Sequence, residues 1–303
     1  MSGMPTPDPP RYFPFMHGVY DVKAGIGALG REMGNGPLDA LVFQLDGQFP
    51  AYRAAKLASG QHRDRHVLRD RFDASAEQAI ARWAAARLAA EHPGDFTLSD
   101  ASLACGRTDE SIELEADPAP LDALAMQVQD DMAVLVIDED GTNRLAWLHV
   151  SMPSGWPPEE KIGRPFAQVH TPVPHIDPIN AKQDAIAKLM VSATRGAVRF
   201  AWTITTDAAL NHHPHRDQRA DTPAASPLPN HPAGEPLLRV ERQVIWGFPE
   251  HAASLFLIRT YLYPFDTLDE QTRSALSAAV TGMSDASLRY KNMDRDQIVA
   301  KLT

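Results

Sequence analysis

Cysteine is almost absent from this chain of 303 residues, which contains only Cys105. A single thiol forms no internal disulfide, and it cannot supply the several thiolates that hold an iron–sulfur cluster. Because no disulfide has to form, the cytoplasm is the simplest expected location. Any cluster that serves this protein is expected on another chain.

Basic residues and long apolar runs are scarce as well. The formal net charge is −10, whereas nucleic-acid binding requires clustered Lys and Arg, so we expect no nucleic-acid partner. No apolar run approaches the roughly 18 residues of a membrane helix. The proline-rich start, residues 1–10, lacks the basic and apolar regions of a secretory signal. We therefore expect no membrane association.

The sequence also lacks the G-x-x-x-x-G-K-[ST] loop that holds a nucleoside triphosphate. We expect no dinucleotide site on this chain either. If the protein carries out redox chemistry, its reducing equivalents must come from outside.

The order of apolar segments predicts an α+β fold with an antiparallel sheet. Two strands precede a helical middle and three more strands follow it, over residues 132–137, 144–152, 198–205, 238–246 and 255–263. Helices are predicted over residues 64–92, 121–131, 161–170, 181–194, 270–280 and 294–302. We expect an N-terminal helical extension (1–120), a core (121–266) with an irregular insertion (211–235), and C-terminal helices (267–303).

Six ordered motifs resemble one known family, the α subunits of haem-dependent oxidative N-demethylases, also described as dimethylamine monooxygenases. The motifs are 11–21 (RYFPFMHGVYD), 129–132 (QDDM), 153–166 with 169–174 (PSGWPPEEKIGRPF and VHTPVP), 238–243 (LRVERQ), 256–261 (FLIRTY) and 290–291 (YK). The resemblance covers nearly the whole length. The chain departs from the family pattern at Ala201, where the family tends to have Asn, and in the long His-rich segment.

This resemblance implies a PAS-like fold with a haem b pocket and O2-dependent removal of a methyl group from a small secondary amine such as dimethylamine. The products would be formaldehyde and the shorter amine. Family enzymes are complexes, so FMN, a [2Fe–2S] centre, folate and NADPH are expected only on partner subunits, including a reductase. Two other functions fit the same fold: a non-catalytic haem sensor of gas or redox state, and a cofactor-free interaction subunit.

His170 is the predicted axial ligand of the haem iron. It ends the predicted helix 161–170 and lies within the longest motif. Haem iron needs one neutral imidazole from a rigid element. A histidine at a helix C-terminus can instead simply complement the helix dipole. His175, five residues on, is the alternative ligand, and His149 on a strand is a weaker candidate.

Arg242 is the predicted catalytic group. Alternation along the strand puts it on the same face as Val240 and Val244. A buried arginine needs a negative or strongly polar partner, which iron-bound dioxygen or a haem propionate would supply. The alternative is a surface strand in which every charge is solvated.

Three residues are expected to line the haem pocket: Phe200, Trp202 and Val240. On the opposite face of the strands, Arg199 and Arg259 could form ion pairs with Glu241.

Several other aromatic and histidine side chains are weaker candidates for a functional site. Tyr261 and Tyr263 could donate hydrogen bonds near a substrate, although tyrosine is common in strands. His212, His213, His215 and His231 suggest zinc, but their spacing matches no zinc motif, so we expect a solvated loop. Asp130 and Asp131 are expected to be ordinary acids of a turn or cap.

Overall fold

A computed structural model describes residues 8–23, 25–216 and 222–303. The start of the expected N-terminal extension (1–7) and part of the expected insertion (217–221) lie outside the described residues. Within the described residues no helix is long and apolar enough to cross a membrane.

The described residues form ten strands in two antiparallel sheets. The strands are β1 (Gly27–Ala28), β2 (Val67–Arg69), β3 (Phe96–Leu98), β4 (Ser102–Cys105), β5 (Glu110–Glu113), β6 (Asp131–Ile137), β7 (Asn143–His149), β8 (Ala197–Thr205), β9 (Leu237–Phe248) and β10 (Ala253–Pro264). The main sheet has seven strands in the order β1-β8-β9-β10-β6-β7-β2, and β3-β4-β5 form a smaller sheet. The predicted α+β class and antiparallel sheet are confirmed. The PAS-like arrangement stays a prediction.

Ten α-helices are described around these sheets. They are α1 (Phe49–Ser59), α2 (Arg63–His66), α3 (Ala74–Glu91), α4 (Pro120–Ala125), α5 (Phe166–His170), α6 (Asp177–Asn180), α7 (Gln183–Ser192), α8 (Glu270–Thr281), α9 (Asp285–Tyr290) and α10 (Arg295–Leu302). Helices α5 to α7 lie in the sequence between β7 and β8, as the predicted helical middle requires.

Three predicted elements are corrected by the structure. The predicted helix 64–92 is interrupted, because Val67–Arg69 pairs with the end of β7 as an edge strand of the main sheet. The expected N-terminal extension is therefore not purely helical, since it supplies β1 and β2 to the main sheet and the whole small sheet. The predicted helix 161–170 shortens to Phe166–His170, because Pro165 is extended (ψ 155°) and caps its start.

A glycine-rich run near the N-terminus matches a nucleotide-binding signature in its spacing alone. Gly25–Gly30 has the G-x-G-x-x-G spacing, so the sequence does contain that signature. A dinucleotide fingerprint requires a strand, a tight turn and then a helix. Here the run contains only the two-residue strand β1, and the next helix begins at Phe49. The run therefore lacks the structure that makes such a signature bind phosphate.

One face of the main sheet forms most of the core, and we call it the packed face. Its side chains include Val198, Phe200, Trp202, Val240, Arg242, Val244, Leu255, Leu257 and Tyr261. Helix α3 and residues 42–45 cover one end, while the N-terminal segment and α8 to α10 cover the other. Each fully buried leucine or valine there contributes about 1.5–3 kcal/mol.

The opposite face, which we call the open face, is covered at both ends, and Trp156 and Ile162 pack in one cluster with its residues Ala133 and Phe256. At one end, Ala187 and Met190 of α7 pack on Leu135 and Ile245. At the other end, Leu210 and Ala225 of the irregular segment pack near Leu262. Between them lie five half-buried residues: Arg199, Ala201, Glu241, Phe256 and Ile258.

Gly247 sets how closely α7 approaches the open face. A Cβ at this position would lie 2.1 Å from the carbonyl oxygen of Val191. The backbone N–H of Gly247 instead donates to the carbonyl of Ala193 over 3.1 Å. A side chain at position 247 would therefore push the end of α7 away from the sheet.

Asp130 and Asp131 are buried rather than exposed acids of a turn, which corrects the sequence interpretation. Asp131 accepts hydrogen bonds from the backbone N–H groups of Ser151 and Met152. Neither carboxylate oxygen of Asp130 has a hydrogen-bond partner among the described residues. Burial raises the pKa of Asp130 to about 6, although the nearby positive charges of Arg242, Arg259 and Lys56 oppose the shift.

Replacing Asp130 should change how stability depends on pH. The folded chain holds this proton up to about pH 6, whereas an unfolded aspartate loses it near 4, so ionisation destabilises the fold across that window. Asp130→Asn removes this effect. The free energy of unfolding of the variant, minus that of the wild type, should rise by up to about 3 kcal/mol from pH 4 to pH 7.

Urea unfolding at several pH values measures this difference. Glu139→Gln, at an exposed position of the β6–β7 turn, is the control. A difference between Asp130→Asn and wild type that stays constant from pH 4 to pH 7 would contradict the raised pKa.

Candidate functional site

His170 lies at the end of a short helix that side chains of its neighbours hold in place. The free N–H of Phe166 at the start of α5 donates to the side-chain oxygen of Asn143 over 2.8 Å. The next N–H, of Ala167, donates to Gln183 over 3.3 Å. Because the first N–H groups of a helix have no partner within it, these two bonds anchor α5 to β7 and α7.

The imidazole of His170 is oriented by Phe166. Its Nδ1 lies 2.8 Å from the carbonyl oxygen of Phe166, and the two rings stack with centroids 4.3 Å apart. A carbonyl only accepts, so Nδ1 carries the proton and Nε2 keeps its lone pair. No described residue forms a hydrogen bond with that Nε2. A histidine held in this way resembles a metal ligand whose second nitrogen is fixed by a backbone carbonyl.

Burial and nearby charges keep His170 neutral. Burial lowers its pKa, and the positive charges of Arg199 and Lys161 lower it further. The bond to Phe166 has the opposite effect but does not outweigh them. The neutral imidazole is the form that binds iron.

Two cations near His170 have no ion-pair partner among the described residues. Lys161 is 9% exposed, and its ammonium group has neither a hydrogen bond nor a carboxylate within 4.0 Å. The Nε of Arg199 is buried without a hydrogen-bond partner. Glu241 acts electrostatically on Arg199 but lies beyond ion-pair distance from it. The neighbourhood of His170 therefore carries unpaired positive charge.

His175 is placed differently. It is exposed, it has a positive φ of 63°, and its Nε2 lies 2.9 Å from the hydroxyl of Ser284. An exposed imidazole with its distal nitrogen already hydrogen-bonded is a poorer ligand than His170.

Arg242 does not share a site with His170, which corrects the sequence hypothesis. Its guanidinium is fully buried on the packed face and forms a two-bond ion pair with Asp39, with N–O distances of 2.6 and 2.7 Å. The same guanidinium donates to the carbonyls of Leu41 and Val42. The chain itself therefore supplies the negative partner that the sequence argument assigned to dioxygen or a propionate. The sheet separates Arg242 from His170.

The predicted pocket residues are also on the packed face. Trp202 meets the rings of Phe15 and Tyr20 at 5.2 and 5.6 Å, and Phe200 meets Tyr12 at 4.8 Å. Val240 is fully buried in the same cluster. These three residues share one face of the sheet, and they pack against the N-terminal segment rather than beside His170.

The tyrosines and the remaining strand histidine also face the core. The hydroxyl of Tyr261 donates to Gln44, and that of Tyr263 donates to the carbonyl of Pro10 over 3.1 Å. His149 is buried, and burial lowers its pKa well below the usual range.

The predicted placement of Arg199, Arg259 and Glu241 on one face of the sheet is correct only in part. Arg199 and Glu241 do lie on that face. Arg259 lies on the packed face instead, where it forms an ion pair with Asp46 over 2.8 Å, so it does not pair with Glu241.

The His-rich segment has its own contacts. His213 is buried, and its Nε2 lies 2.9 Å from a carboxylate oxygen of Glu159. The Nε2 of His231 lies 3.0 Å from the carbonyl of Glu235. His213 is therefore not the solvated side chain that the sequence suggested. The described residues contain no group of three or more His, Cys, Asp or Glu that could hold a metal ion.

A cavity of about 370 Å³ lies away from His170, beside α1 and the irregular segment. His66 lines it, and its Nδ1 lies 2.8 Å from the carbonyl of Val150, so this imidazole also has a fixed tautomer. Its wall combines polar residues such as Ser59, Asp207 and Asn211 with apolar ones such as Leu210 and Leu228. His170 is the stronger candidate because its surroundings combine aromatic packing with unpaired cations, whereas a cavity volume by itself indicates no chemistry.

The fold and the site together define an α+β protein with a neutral, oriented histidine at the end of α5, close to Arg199 of the open face. The chain belongs to the family described as haem-dependent oxidative N-demethylase, alpha subunit-like, whose profile matches residues 38–301. The resemblance seen in the sequence motifs is thereby confirmed.

Sequence reasoning missed two residues, Lys161 and Asp39, and it paired Arg199 with Glu241 without connecting Arg199 to His170. Lys161 lies inside the longest motif, where it was assigned only to the predicted helix 161–170. Arg199 carried a usable signal, since an arginine flanked by Val198 and Phe200 must lie on the face opposite to theirs. Asp39 precedes Arg242 by 203 positions, and no local pattern could have paired them.

Proposed function

We propose that this chain binds haem on the open face through His170 and is the oxygen-activating subunit of an oxidative N-demethylase. The observation that carries the proposal is the neutral imidazole of His170, with Nδ1 bonded to Phe166 and Nε2 available. Membership of a family named for haem-dependent N-demethylation supports the same cofactor and reaction. The expected PAS-like fold belongs to this proposal as well.

The residues around His170 are of the chemical types that bind haem. A haem ring is flat and apolar, and the open face offers half-buried Phe256 and Ile258, with Phe166 beside the histidine. A haem iron needs only one protein nitrogen, so one histidine suffices where a zinc or cluster site needs several ligands. When bound, haem supplies the oxygen chemistry that hydroxylates an N-methyl group, which then leaves as formaldehyde.

The protein's own contribution is to hold and orient the bound ligand and to exclude water. The bond from Nδ1 of His170 to Phe166 fixes which nitrogen faces the ligand and raises its basicity. Helix α7 and the segment around Leu210 close the two ends of the open face, which limits the entry of water. The substrate is a small secondary amine, for which dimethylamine is the model compound.

Electrons come from a partner in this proposal. The family description identifies an α subunit, which implies a complex of several subunits. The one cysteine, Cys105, is buried, so this chain cannot hold a four-thiolate cluster. We assign FMN, the [2Fe–2S] centre and NADPH to a reductase partner.

Turnover should depend on that partner. The haem-loaded chain mixed with NADPH, O2 and dimethylamine should release no formaldehyde above background, and addition of a reductase should start sustained release. Formaldehyde is measured by a colorimetric assay, with dimethylamine-free buffer and boiled chain as controls. Sustained formaldehyde release without any reductase would overturn the proposed division of labour.

A further inference from the structure

The open face carries more positive charge than the protein's own acids neutralise. Lys161 and Arg199 both act electrostatically on His170, and Lys291 acts on Arg199. Glu241 is the acid that acts on Arg199 and Lys291. Glu160 acts on Lys161, so three cations face two carboxylates and a net positive charge remains beside the histidine.

This excess decides which kind of group the site accepts. A secondary amine is protonated near neutral pH, so this cluster would repel an amine cation unless a bound anion first neutralised the cluster. An anion would instead gain charge-assisted hydrogen bonds, which are stronger than neutral ones. Haem carries two carboxylates, which makes it an anionic ligand.

Arg199 and Lys161 are the two cations without a polar partner. The ammonium of Lys291 already donates to the carbonyl of Trp202 over 2.8 Å. Lys161 is 9% exposed and has no bond from its ammonium group, and the buried Nε of Arg199 has none either. Leaving the buried Nε of Arg199 unpaired costs free energy, which an external anion would offset, and the Lys161 ammonium, which reaches the surface, adds a second positive charge for that anion.

We infer that Arg199 and Lys161 bind the carboxylate groups of haem, an inference that rests on the proposed haem site at His170. The two residues then act with His170 as one binding set: the histidine holds the iron and the two cations hold the acidic edge. Arg242, by contrast, cannot bind the haem carboxylates because its guanidinium is already paired with Asp39.

The test compares haemin with haemin dimethyl ester, which has the same ring and iron but no negative charge on its side chains. Apo-chain of full length is titrated with each compound and the Soret band is followed. Wild type should bind haemin about 10- to 100-fold more tightly than the ester. Arg199→Met and Lys161→Met should each weaken haemin binding and leave ester binding unchanged.

Matched controls come from the same segments. Arg195→Met and Arg164→Met remove exposed cations close to Arg199 and Lys161, and they should leave both affinities unchanged. Arg199→Lys keeps the charge and should keep much of the preference for haemin. Circular dichroism confirms that each variant is folded.

Three results would overturn the inference. Equal affinity of wild type for haemin and its ester would show that the carboxylates are not recognised. Equal weakening of both compounds in Arg199→Met and Lys161→Met would show that these residues act only on the fold. If wild type binds neither compound, the haem site itself is refuted and the inference falls with it.

Discussion

Arg242→Ala is expected to lower the free energy of unfolding by about 3–5 kcal/mol, the usual cost of breaking a buried ion pair from one side. The side chain is fully buried, and its two-bond pair with Asp39 joins β9 to the N-terminal segment. Its removal leaves Asp39 charged in the interior and leaves the carbonyls of Leu41 and Val42 without their donor. Urea unfolding of the apo-chain measures the loss.

A double substitution separates charge from packing. Asp39→Ala alone should be about as harmful as Arg242→Ala, because it leaves the guanidinium unpaired. The double variant Asp39→Leu with Arg242→Met should lose much less, since apolar residues of similar volume often replace a buried ion pair at little cost. If Arg242→Ala is as stable as wild type but changes oxygen affinity, Arg242 acts in catalysis, as the sequence hypothesis held.

The strands were predictable because each carries its own pattern. Alternating or continuous apolar residues mark β6 to β10, and the acidic turn after Ile137 marks the β6–β7 hairpin. The helix boundaries were less predictable. Val67–Arg69 became a strand only because β7 offers an unpaired edge, which is a tertiary contact that local propensity does not encode.

The candidate site was predictable in one part. His170 could be singled out from its motif, and the structure adds the carbonyl partner and the charges that keep it neutral. The predicted companions of His170 failed for one physical reason. Alternation shows that Arg242, Trp202 and Val240 share a face, but it does not show which face the helical middle covers.

The surroundings of Arg242 illustrate the same limit. A buried arginine requires a negative partner, and that requirement was correctly foreseen. Two partners were possible in principle, a ligand or a distant carboxylate of the chain. Asp39 reaches Arg242 from a segment without regular structure, and only the folded chain reveals the pair.

His170→Ala is expected to abolish specific haem binding. The substitution removes the only proposed protein bond to the iron and deletes a half-buried ring at the end of α5, so the fold should survive. The loss of affinity should exceed the roughly 10- to 100-fold that removal of a residue behind a metal ligand costs. Added imidazole should partly restore the spectrum of the haem complex.

Haemin titration of the apo-chain, followed by the ferrous–carbon monoxide spectrum, tests the central claim most directly. Wild type, His175→Ala and His66→Ala should each bind one haemin and give the same spectrum, while His170→Ala should not bind it specifically. His175 and His66 are the matched controls, since one lies five residues away and the other lines the 370 Å³ cavity. Loss of binding in either control with retention in His170→Ala would contradict the assignment of the haem ligand.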